Sequence, residues 1–125
     1  MIRMPGDNFK GPLPPLTDEQ RAFERELRSI VHDLAGIIGE RNLFRYKGLV
    51  EAATYIRSAL TRMGYDVRRH SYQVAGQMCE NLEAQILGTE RPHDILLVGA
   101  HYDSVQGSPG ANYNATGVAA RHLRA

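Results

Sequence analysis

One cysteine, Cys79, stands alone among 125 residues. That excludes an internal disulfide and any Cys-x-x-Cys metal pair. Lysine is nearly absent, Lys10 and Lys47 being the only two. The arginines that carry most of the positive charge are scattered, and the formal net charge is only +1. Nucleic-acid binding driven by charge is therefore excluded as a main role. No stretch approaches the roughly 20 consecutive apolar residues of a membrane span. The N-terminus lacks the apolar core of a secretory signal, so the expectation is a cytoplasmic protein with no membrane partner. There is no internal repeat and no low-complexity tract. The glycine-rich stretch from Gly107 to Gly117 matches neither the dinucleotide fingerprint nor the phosphate loop with its lysine.

What is present is ordinary globular composition, 42% hydrophobic and 23% charged, in a length that supports one modest domain with a core. Residues 1–16 are rich in proline and glycine, including Pro12, Pro14 and Pro15, and read as an arm. Residues 17–125 read as a partial α/β domain. Thr17-Asp18-Glu19-Gln20 is a capping box. A helix follows from about Asp18 to Ile38, with Phe23, Leu27, Ile30, Val31, Leu34, Ile37 and Ile38 on one stripe. His32 and Asp33 lie within it as surface or flank residues. Residues 39–42 break the pattern. A second helix runs from about Tyr46 to Met63 on the spacing of Leu49, Ala53, Ile56, Leu60 and Met63.

Residues 65–74 and 81–87 read as strands close enough to pair as an antiparallel hairpin, the first with a bulge and with Gly76 in the turn. The run Asp94-Ile95-Leu96-Leu97-Val98-Gly99-Ala100 is apolar without alternation, which suits a strand buried on both faces. The glycine-rich loop then leads into a short last helix. Helices on a mixed sheet are the expected architecture.

His101 and Asp103 leave the end of that run, where open α/β sheets gather their chemistry. Neutral imidazole is a good zinc ligand, and alternate residues of an extended backbone point the same way, so Asp103 could orient His101. A polar pair capping a strand end is the alternative. His70, His93 and His122 have no such context and read as surface residues. Ser104 and Ser108 lack the strained elbow of a serine nucleophile.

Asn81-Leu82-Glu83-Ala84, Ile95 to Val105, Pro109-Gly110-Ala111-Asn112 and Asn114 to Ala120 together resemble the two-zinc exopeptidases of metallopeptidase family twenty-eight. These include the bacterial leucyl aminopeptidases and relatives of glutamate carboxypeptidase. The resemblance covers most of residues 45–120. It implies a truncated zinc-exopeptidase sandwich, zinc as cofactor, a peptide substrate and the hydrolytic release of residues from it. It implies His101 as a zinc ligand and Asp103 as the carboxylate behind it. Where the family places an aspartate bridging both zincs, this chain has Tyr113, a neutral phenol that cannot bridge two cations. The family takes its general-base glutamate and remaining ligands from further along. The polar ending after Ala120 departs from the family's apolar helix. The expectation is a truncated or frame-shifted product, inactive by itself.

Two other functions stand beside an active aminopeptidase. One is a catalytically silent relic or protein-binding module. The other is an unrelated α/β binding domain with a chance signature, which the lack of a strand before His101 would favour. An apolar strand left as a bare sheet edge would invite self-association.

Overall fold

The computed structural model describes residues 10–122, and of Arg121 and His122 the backbone only. Most of the arm (residues 1–9), the surface reading of His122 and the polar ending therefore lie outside the described residues. Lys10 to Leu16 are exposed and carry no helix or strand.

Helix α1 (Asp18–Val31) starts at the expected capping box. The Thr17 hydroxyl accepts from the Gln20 N–H at 3.2 Å, and the Gln20 side chain accepts from the Thr17 N–H at 2.9 Å. Two backbone donors that a helix start leaves unpaired are thereby satisfied. The helix does not continue unchanged to Ile38. Over His32–Ile38 it widens, and Gly39 N–H donates to Leu34 C=O five residues back at 3.1 Å. The Asn42 side chain then accepts from the N–H groups of Phe44 and Arg45, starting the short turn Leu43–Arg45 that opens α2 (Tyr46–Arg62).

Strands β1 (Val67–Val74) and β2 (Gln77–Ala84) form an antiparallel hairpin. Its two-residue turn is Ala75-Gly76, both at positive φ (49° and 82°). That geometry matches the right-handed twist of the strands. The turn fixes the register, pairing Val74 with Gln77 and running one-to-one to Val67 with Ala84. The expected bulge is absent, and the second strand lies at 77–84 rather than 81–87. The first strand's change of phase is tolerated because both its faces are largely exposed.

The apolar run 94–100 corrects the sequence reading most. It forms no strand, and no third strand joins the sheet among the described residues. Ile95, Leu96 and Leu97 are 89%, 88% and 88% exposed. The α/β character holds, with helices packed beside a sheet, but the strand that would have made the sheet mixed is not formed. The core sits instead among helices. Ile30 and Leu34 of α1 and its extension meet Ala52, Ile56 and Leu60 of α2, and Ala115, Val118 and Ala119 at α3 (Thr116–His122). The hairpin leans on this core through Val67, Leu82 and Ala84.

Candidate functional site

The site begins where the apolar run ends. His101 and Asp103 are two residues apart and their side chains meet, with His101 Nδ1 at 3.0 Å from Asp103 Oδ1. An ionised carboxylate only accepts, so Nδ1–H donates and Nε2 is left as the basic nitrogen. This is the orientation expected of a carboxylate behind a metal-binding imidazole. Both side chains are substantially exposed, 43% and 59%, so water weakens their attraction.

Tyr113 arrives from the other side. Its ring meets the His101 ring edge-on, with centroids 4.9 Å apart and planes at 61°. It sits in a wide turn, Ala111–Ala115, closed by the Ala115 N–H on the Gly110 carbonyl at 3.1 Å. Gly110 makes that turn possible. It has φ +62°, and a Cβ there would stand 2.6 Å from the Tyr113 carbonyl oxygen and 2.7 Å from Ser104 Cβ. Only glycine fits so close an approach.

Arg41 is the group that sequence reasoning missed. It is fully buried at 0% exposure. Its guanidinium donates to five backbone carbonyls: Tyr102 (2.5 Å), Leu34 (3.1 Å), Gly39 (3.0 Å), Pro109 (2.5 Å) and Gly110 (3.0 Å). Its own backbone N–H donates to the buried Ser104 hydroxyl at 3.1 Å, and its carbonyl accepts from the Ser104 N–H at 2.8 Å. Burial pulls its pKa down, while the nearby Asp103 carboxylate opposes that fall. One signal could have pointed to it. It stands in the helix break, where carbonyls lose their intrahelical partners and want donors.

Two further ties hold the surrounding loop. The Glu40 carboxylate accepts from the Asn42 amide and from Gly107 N–H, and these two bonds hold its pKa below the ordinary value. The Tyr102 hydroxyl donates to the Glu80 carbonyl on β2 at 2.6 Å. Burial, reinforced by Glu80, pushes that hydroxyl up to about 12. His70 is exposed, bonded across the hairpin to Glu83 at 2.8 Å, and His93 is exposed too. Asp33 accepts from the Tyr55 hydroxyl at 2.8 Å and joins α2 to the α1 extension.

A groove of about 710 Å³ opens beside the site, walled by Leu49, Ile56, Leu82, Leu97 and Val98, with His101 among its lining residues. The structure thus brings His101, Asp103 and Tyr113 together. It does not assemble a donor set for a zinc pair. No group of three or more His, Cys, Asp or Glu side chains able to hold a metal occurs among the described residues. Asp103 is engaged by His101, and Tyr113 offers a phenol where two cations would need a shared carboxylate. These residues do not fit a two-zinc centre.

On backbone geometry alone, the missing strand before His101 would favour a chance signature. No curated protein and no solved structure matches the chain at a significant level. The family comparison weighs against that, because its match includes the apolar run, the histidine and the glycine-rich loop. Over residues 81–122 the chain is similar to the model described as Peptidase family M28.

Proposed function

We propose that this chain carries the start of a zinc exopeptidase site and does not, by itself, hydrolyse peptides. The observation that carries the reading is the Tyr113 ring against the His101 imidazole at 4.9 Å. By resemblance to the family, that position calls for a bridging aspartate. Two-metal hydrolysis needs Lewis-acidic cations and an activated water held between them. His101, oriented by Asp103, supplies one coordinating nitrogen, and the rest of the ligand set has to come from residues other than these. In this reading the chain is a catalytically silent, peptidase-like module. The expected self-association through a sheet edge becomes association with a second copy through the exposed run Ile95 to Val98, which forms no strand and so offers apolar side chains rather than an edge.

Zinc titration and an aminopeptidase assay, on this chain and on Tyr113→Asp, test the proposal. No tight pair of zinc sites and no turnover are expected for the unaltered chain. Tyr113→Asp is expected to raise zinc affinity at His101 without restoring turnover. Two tight sites with peptide hydrolysis by the unaltered chain would refute the reading. Zinc binding unaffected by Tyr113→Asp would remove Tyr113 from it.

A further inference from the structure

Arg41 touches the loop that carries the site at both of its limbs. On the first limb it bonds the carbonyl of Tyr102, the residue after His101. It also pairs backbone to backbone with Ser104, the residue after Asp103. The ties at 102 and 104 bracket Asp103. On the second limb it bonds the carbonyls of Pro109 and Gly110, and Gly110 closes the turn that presents Tyr113. The remaining bonds, to Leu34 and Gly39, anchor the cation to the end of the α1 extension.

A single buried group therefore spans the end of the α1 extension, the His101–Asp103 limb and the Tyr113 limb. The geometry is specific to a guanidinium. Its planar fork sends donors in several fixed directions at once, whereas an ammonium is a compact point charge on a flexible stem. A buried cation whose direct partners are carbonyls rather than a carboxylate is costly unless most of its donors are used. Here every guanidinium nitrogen donates. The neighbouring packing leaves the loop little alternative, since a Cβ on Gly110 would also stand 3.3 Å from Arg41 Nη2.

We propose that Arg41 is the positioning residue of this site: its guanidinium clamps the two limbs of the loop 102–110 and so sets Tyr113 and Asp103 against His101. Calling this a ligand site rests on the function proposed above, whereas the clamp itself does not.

The test uses the full chain labelled with 3-fluorotyrosine. The Tyr113 signal among the six tyrosines is assigned with Tyr113→Phe, and its contact with His101 is calibrated with His101→Ala. Long-range proton–nitrogen spectra read the His101 tautomer. In Arg41→Lys the Tyr113 signal should move to its His101→Ala position, and the Nδ1–H tautomer should lose its preference. The signals of Tyr46, Tyr55, Tyr65 and Tyr72, which lie off the clamped loop, should stay in place. Arg41→Ala should behave likewise, and added methylguanidinium should restore both readouts while ethylammonium at equal concentration should not.

Arg41→Lys folded with both readouts unchanged would overturn the proposal. So would loss of all six signals together in both variants without recovery by methylguanidinium, which would make Arg41 a support of the whole fold. Zinc added to the unaltered chain reads the other proposal separately. If zinc leaves the His101 spectrum untouched, the ligand reading fails and the clamp stands.

Discussion

The hairpin of residues 67–84 and the run of residues 94–100 differ in the way opposite to their hydrophobicity. The hairpin is polar on much of both faces, with β1 almost wholly exposed, yet it is fully paired. The run is nearly all apolar, yet it forms no strand and stands largely in water. What separates them is the source of the backbone's hydrogen bonds. The hairpin contains its own partner, delivered by a two-residue turn whose φ values suit the strand twist. The run has no ladder partner among the described residues. Apolar side chains specify what ought to be covered, but a strand exists only where another backbone meets it.

The largest test of this contrast compares a core position with a position in the run. Ile56 on α2 is 6% exposed and belongs to the core, while Leu96 is 88% exposed. Ile56→Ala should cost about 2–5 kcal/mol in urea unfolding through lost transfer energy and a residual cavity. Leu96→Lys should stay within about 0.5 kcal/mol, as exposed substitutions do. It should also move the light-scattering mass toward the monomer if copies associate through the run. A large loss of stability in Leu96→Lys at concentrations where the chain is monomeric would show that the run is buried within the fold, and the contrast would collapse.

Glycine substitutions sharpen the same comparison at smaller scale. Gly76 holds φ +82° in the hairpin turn, whereas a Cβ on Gly99 meets nothing within 4 Å. Gly76→Val should cost roughly 1–2 kcal/mol, because a branched side chain is strained in the left-handed region. Gly99→Val should change stability by less than about 0.5 kcal/mol. Equal costs at both positions, measured by urea midpoint, would mean that the run is as ordered as the hairpin.

Local physics explains which parts could be read in the sequence. The capping box at Thr17 and the stripe of Ile56 and Leu60 are written within a few residues of where they act. His101 and Asp103 are neighbours in sequence, so their pairing was legible too. Tyr113 was placed beside them by family resemblance. The bounds of β2 differ from the expected 81–87 because the strand starts straight after the turn at Ala75-Gly76, and the turn decides the pairing. Arg41 leaves only the faint signal of its place in the helix break, because the groups it binds are backbone carbonyls, which every residue has. Its role depends on three segments meeting, and only the folded chain shows that.

The smallest expected effect lies where the two regions touch. The Tyr102 hydroxyl, at the end of the run, donates to Glu80 on the hairpin at 2.6 Å. Tyr102→Phe should cost about 0.5–1.5 kcal/mol, the usual net worth of such a bond. Its pH dependence gives a sharper signature. The hydroxyl is pushed up from 10 to about 12 in the folded chain, chiefly by burial. The folded state therefore holds the proton more tightly than the unfolded one. Its contribution is fully present below the unfolded value and is lost as pH rises through the folded value. Stability should decline from pH 10 toward about 12, with Tyr55 contributing in the same window because burial and Asp33 raise it likewise to about 12. Tyr102→Phe should flatten part of that decline, and Tyr55→Phe another part. If the urea midpoint of Tyr102→Phe followed the same alkaline curve as the unaltered chain, the hydroxyl would not be holding the end of the run against the hairpin.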